Sequence, residues 1–114
     1  MFHRYIYFKT EPVYAAPILQ AWRSLTDEGL IERYLNECGQ APWLAETCLK
    51  PRHCLQQRTQ ADQRLITWMD VMSDFISIQT LDRYHSNVEK SWLARLAVIV
   101  PSLERHIETF QTCA

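Results

Sequence analysis

Glycine is scarce in this chain, with two residues, Gly29 and Gly39, among 114. That excludes a Gly-rich phosphate loop, which needs several residues able to bring backbone N–H groups close to an anion. No apolar run approaches the roughly 18 residues of a membrane-spanning helix. Lys and Arg form no dominant cluster and the formal net charge is −1, so the footprint of a nucleic-acid binder is missing. The four cysteines, Cys38, Cys48, Cys54 and Cys113, show no C-x-x-C spacing. They are expected to be free thiols in a reducing compartment. A zinc site on Cys48, His53 and Cys54 would use suitable donors but lacks a matching second half. No metal or cofactor is therefore expected. No nucleophile sits in an elbow motif, and Met1-Phe2-His3-Arg4 leads into structure without a signal-peptide pattern. The expected location is cytoplasmic.

What the chain does have is an ordinary globular balance, 47% apolar and 22% charged, at a length that supports one core. A single domain over 1–114 is expected. The aromatic and β-branched segment from Phe2 to Thr10 reads as a strand, broken by Glu11-Pro12. Ile18, Leu19, Trp22 and Leu25, then Leu30, Ile31, Tyr34 and Leu35, recur at helical spacing. They predict a long or two-part helix over 15–38, with a kink or fresh N-cap at Thr26-Asp27-Glu28-Gly29. The second strand has two candidate positions, 43–50 or 52–58, which Pro51 keeps from being one central strand. The clearest strand is Arg64–Met72, ended by Ser73-Asp74. Leu81, Tyr84, Val88, Trp92, Leu96 and Ile99 then trace a helical stripe closed by Pro101, and 106–112 alternates as a last strand. The order strand, helix, strand, strand, helix, strand is that of an α+β, ferredoxin-like βαββαβ domain. Such a domain has a four-stranded antiparallel sheet with its helices on one face and its first and third strands central.

Alternation divides each strand between two faces. Ile6, Phe8, Leu65, Thr67, Met69, Val71, Ile107 and Thr109 are assigned to the helix-covered face. The opposite face then carries Tyr5, Tyr7, Ile66, Trp68, Asp70, Met72, His106, Glu108 and Phe110, too apolar to stay bare. On that assignment Asp70 and Glu108 flank the first strand, roughly 9–10 Å apart, with Tyr5 or Tyr7 between them. They could act as a general base beside a phenol. The preferred reading is quieter: neighbouring Tyr hydroxyls, the Trp68 indole or a basic group across a dimer simply satisfy them. His85 is expected at the surface and the Trp22, Trp92, Leu96 stripe in the core.

The segments RYIYFK (4–9), TWMDVM (67–72) and RHIETF (105–110) together resemble a family of small uncharacterised bacterial proteins. Those carry Thr-Trp-Met-Glu-Val-Tyr-like and Arg-His-Val-Glu-Val-Phe-like strands, with Asp70 standing here for the glutamate and Met72 for the tyrosine. The resemblance implies a dimeric α/β-barrel of ferredoxin-like type and a proteobacterial origin, without an established activity. The leading reading is a homodimeric ligand-binding or interaction module using the non-helix face, with a small amphipathic ligand and neither nucleic acid nor membrane as partner. Its candidate residues are Tyr5, Tyr7, Trp68, Asp70, His106, Glu108 and Phe110; no catalytic residue is assigned. One alternative is a cofactor-independent monooxygenase- or isomerase-like enzyme on a small aromatic substrate. Another is a haem-binding protein, whose ligand would have to be His85 or His106.

Overall fold

A computed structural model describes residues 1–38, 50–58 and 64–112. Four strands, β1 (Phe2–Thr10), β2 (Arg52–Arg58), β3 (Ile66–Phe75) and β4 (His106–Gln111), form one sheet in the order β2-β3-β1-β4. All three pairings are antiparallel, so β1 and β3 are central and β4 lies beside β1, as the element order predicted. With its helices on one face this is an α+β, ferredoxin-like arrangement. Of the two candidate second strands, 52–58 is the one that pairs with β3. Residues 43–49 of the other lie outside the described residues.

The helices follow the local chemistry. α1 (Ala15–Asp27) buries Ile18 and Leu25, and α2 (Leu30–Glu37) buries Ile31. The break falls at Gly29, whose φ of 77° is in the left-handed region that a side chain disfavours. α3 (Ile78–Ile99) starts at Ser77, whose side chain accepts from the Thr80 amide while Thr80 Oγ1 accepts from the Ser77 amide. Its buried stripe runs Leu81, Tyr84, His85, Val88, Trp92, Leu96.

β3 runs on to Phe75, three residues past its expected end. Asp74 takes a φ of 67° there, and the register shifts between Phe2 and Arg4 on the partner strand. The irregularity is held in place, because the Asp74 amide donates to His3 Nδ1 and its carboxylate accepts from Arg52.

The face assignment of β3 needs correction. Register pairs Phe8 with Trp68 and Ile6 with Asp70, and cross-strand partners share a face. Trp68 and Asp70, expected on the uncovered face, therefore point with Ile66 and Met72 into the helix-covered core, where all four are buried. Thr67, Met69 and Val71 face the other way and are half-buried, while Leu65 precedes the strand and is exposed. The large apolar area of Trp68, Ile66 and Met72 decides the orientation. The cost of taking Asp70 inward is offset by two donors waiting there.

Candidate functional site

Three features could carry function: the uncovered sheet face, a buried polar chain around Asp70, and a charged ladder between α3 and the sheet.

The uncovered face brings together Tyr5, Tyr7, His106, Glu108 and Phe110 where alternation put them. Tyr5 pairs with Glu108, Tyr7 with His106 and His3 with Phe110. The aromatic rings touch edge to face, Tyr5 to Phe110 at 5.2 Å and Tyr5 to Tyr7 at 6.3 Å between centroids. Val71 and Met69 sit opposite Tyr5 and Tyr7 on β3, extending the apolar surface. His106 Nε2 lies 3.2 Å from Glu108 Oε1, and Phe110 is 44% exposed. Burial and the nearby Glu108 carboxylate push the Tyr7 phenol above its usual value, so this hydroxyl is a donor rather than a base. Asp70 is on the far side of the sheet, so the Asp70–Glu108 carboxylate pair does not form.

Asp70 instead sits inside a chain of four side chains in the core, in the order Tyr84, His53, Asp70, Trp92. Its carboxylate accepts from His53 Nε2 and, at 3.1 Å, from the Trp92 indole. Nδ1 of the same imidazole lies 2.6 Å from the Tyr84 hydroxyl. One proton placement satisfies every member: His53 donates from Nε2, and Nδ1 accepts from Tyr84. Burial first, and the Asp70 charge second, push the Tyr84 hydroxyl far above its ordinary value, which keeps it a donor. Trp22 closes the cluster, edge-on to His53 at 4.9 Å and to Trp92 at 5.1 Å. Side chains of His53 and Asp70 are 0% and 1% exposed, so nothing in solution reaches them without local opening. The satisfying group is thus a neighbour, but not one expected from the sequence. Trp68, the indole considered there, donates to Thr10 Oγ1 at 2.8 Å. His53 also leaves the zinc grouping: strand alternation buries His53 and exposes Cys54 on the opposite face, while Cys48 lies outside the described residues.

The charged ladder was missed altogether in the sequence. Arg4 points to the helix side and donates to Asp82 at 2.7 Å, to Thr109 at 3.0 Å and to His85 Nδ1 at 2.9 Å. His85, expected at the surface, is buried, with Nε2 2.9 Å from Glu89 but off line for a hydrogen bond. Nδ1 is thus taken by Arg4, whereas Nε2 has no hydrogen-bond partner among the described residues. Arg105 donates to the other Glu89 oxygen. Burial alone would raise the Glu89 carboxyl; contacts and charge from His85 and Arg105 outweigh it and lower the group to about 2. A depressed carboxylate contributes stability that is present above its unfolded value and lost as pH falls through the folded one. In the native protein that loss should run from about pH 4.5 down to about 2. After discount for partial solvent screening it amounts to about 1–2 kcal/mol. Urea titrations across this range should show the acid slope shrink in Glu89→Gln; an unchanged slope would mean the ladder adds no net stability.

No protein-family model matches the chain, and no curated protein matches it. Solved structures do. A protein from Caulobacter crescentus CB15 described as a "putative antibiotic biosynthesis monooxygenase" is similar at 12% identity and TM-score 0.56, over 99% of this chain and 90% of that one. A dimeric ferredoxin-like protein of unknown function from Thermobifida fusca YX is similar at 15% identity and TM-score 0.50, over 98% and 92%. The de novo designed protein Foldit4 is similar at 8% identity and TM-score 0.54, over 98% of each chain. At these identities the likeness is one of fold alone. A designed protein among the neighbours illustrates that this fold needs no particular activity to form. The chain shares the ferredoxin-like fold of its neighbours, and its function has to be argued from its own side chains.

Proposed function

We propose that the protein is a homodimeric interaction module whose uncovered sheet face seats the same face of a second copy. The observation that carries this reading is the aromatic cluster of Tyr5, Tyr7 and Phe110, continued by Met69 and Val71, on the sheet face opposite the described helices. Exposed Lys9, Cys54, Gln56, Arg58 and His106 surround it as a polar margin, the arrangement of an apolar interface core within a hydrated rim. A twofold pairing of identical patches is the commonest route to a closed oligomer. The Thermobifida fusca neighbour is a dimer by name, which agrees with the reading. We further propose a bacterial, cytoplasmic protein; Cys38 and Cys54 form no disulfide among the described residues, which suits a reducing compartment.

Light scattering at micromolar concentration is expected to give twice the 13.5 kDa protomer mass. Val71→Glu puts a charge at the centre of the face without touching the core, and should give a folded monomer. A wild-type monomer overturns the proposal.

The Caulobacter crescentus neighbour's name suggests a second reading, a monooxygenase. The acid that such an enzyme would draw on, Asp70, is enclosed by His53 and Trp92, which favours the binding module.

A further inference from the structure

Between the C-terminal half of α3 and β4 lies a groove of about 500 Å³, on the helix side of the sheet and apart from the proposed dimer face. Leu93 and Ala97 form its α3 wall, and Leu103 and Ile107 form the wall on the returning chain. Ile107 pairs with Ile6 on the core-facing side, yet it is 49% exposed because no helix among the described residues covers the edge strand. Arg105 stands in the same groove with its side chain only 9% exposed. Its Nη2 donates to Glu89, whereas Nη1 is buried without an acceptor among the described residues. A buried N–H of a charged group left without a partner is costly, and an incoming anion oxygen would remove that cost.

We propose that this groove binds a small amphipathic carboxylate, its acid group on Arg105 and its apolar body along Leu93, Ala97, Leu103 and Ile107. A guanidinium fork is the side chain best shaped to take a carboxylate, and one arm of it is already held in place by Glu89. Glu89 takes only the Nη2 arm of the guanidinium and leaves Nη1 for the anion. The walls exclude a compact hydrophilic anion as the best fit: they offer apolar contact to a hydrocarbon or aromatic body. The volume falls within the roughly 300–1,000 Å³ of small-molecule sites.

Decanoate, kept below its micelle concentration, is titrated into 15N-labelled protein. Saturable shifts are expected on the amides of 93–107, and decanol should bind about tenfold or more weakly, having no charge to pair with Arg105. Arg105→Met should weaken decanoate by a similar factor. Ala97→Trp, at an exposed helix position, should block the groove with Arg105 intact, so the test survives should Arg105→Met fail to fold. The proposal is overturned by an absence of saturable binding, by equal binding of decanol, by unimpaired binding to folded Ala97→Trp, or by shifts centred on Tyr5 and Phe110. Only the last of these bears on the dimer face, so the two readings fail separately.

Discussion

Asp70→Ala is expected to destabilise the protein by about 3–5 kcal/mol, because two buried donors lose their acceptor at about 1–3 kcal/mol each and a void is left behind. The loss has three parts. His53 Nε2 and the Trp92 indole both lose their acceptor, and a void opens at the middle of a central strand. Neither orphaned donor can turn to water, because the surrounding side chains are almost fully buried. Asp70→Asn should be much milder, at about 1–2 kcal/mol. Its amide oxygen can keep the Trp92 bond while its NH₂ donates to Nε2, provided that the imidazole proton moves to Nδ1. Tyr84 then accepts instead of donating, and its own hydroxyl proton is the one left unpaired. Urea denaturation gives both stabilities, and 15N shifts of the His53 ring report the tautomer directly. Equal losses for the two variants would show that charge, rather than hydrogen-bond completeness, holds the chain together. The asparagine variant also separates function classes: a folded protein that lost a turnover would point to an enzyme.

Trp68→Ala should cost a similar amount, about 3–5 kcal/mol, for a different reason. Trp68 is 0% exposed and stacks on Phe8, with ring centroids 6.1 Å apart and planes 12° from parallel. Truncation leaves a cavity between the central strands and the helices and strips Thr10 Oγ1 of its donor. Trp68→Phe should recover most of the packing and lose about 1 kcal/mol for the missing indole bond. The readout distinguishes the two faces of the sheet. A core tryptophan changes the urea midpoint and leaves the association state alone. A tryptophan on the uncovered face would do the opposite, and that result would refute the burial of this side of β3.

Much of the architecture was legible because it rests on period and punctuation. Two-residue alternation in β1, the three-and-four spacing from Leu81 to Leu96, Gly29 at a helix break and Pro101 after the last helix are all local signals. Each survives into the fold because local preference and tertiary packing agree there. The faces of β1 and β4 could be read in the same way, since each strand has an evident difference between its two sides.

β3 offered no such difference. Trp68 and Met72 share a side with Asp70, while Thr67, Met69 and Val71 fill the other, so the choice turned on how costly the aspartate would be inside. That cost depends on donors from β2 and α3: His53, 17 positions away in the chain, and Trp92, 22 positions away. No spacing rule links them. His53 itself stands in a short, mostly polar edge strand, and its burial follows only from pairing with Met72 and from the helices above. The ladder from Arg4 to Arg105 was hidden for the same reason, because it joins the first strand, the last helix and the turn into β4.

By itself, then, the sequence determined the order of elements, the antiparallel α+β class and an aromatic face on β1 and β4, because these depend on neighbours a few residues apart. Only the tertiary structure decided that Asp70 is an interior acceptor, that His85 belongs to a buried charge ladder, and that Arg105 keeps one arm without an acceptor among the described residues, beside an apolar groove. Burial of a charge is settled by the sum of its desolvation and its partners, and those partners come from distant parts of the chain.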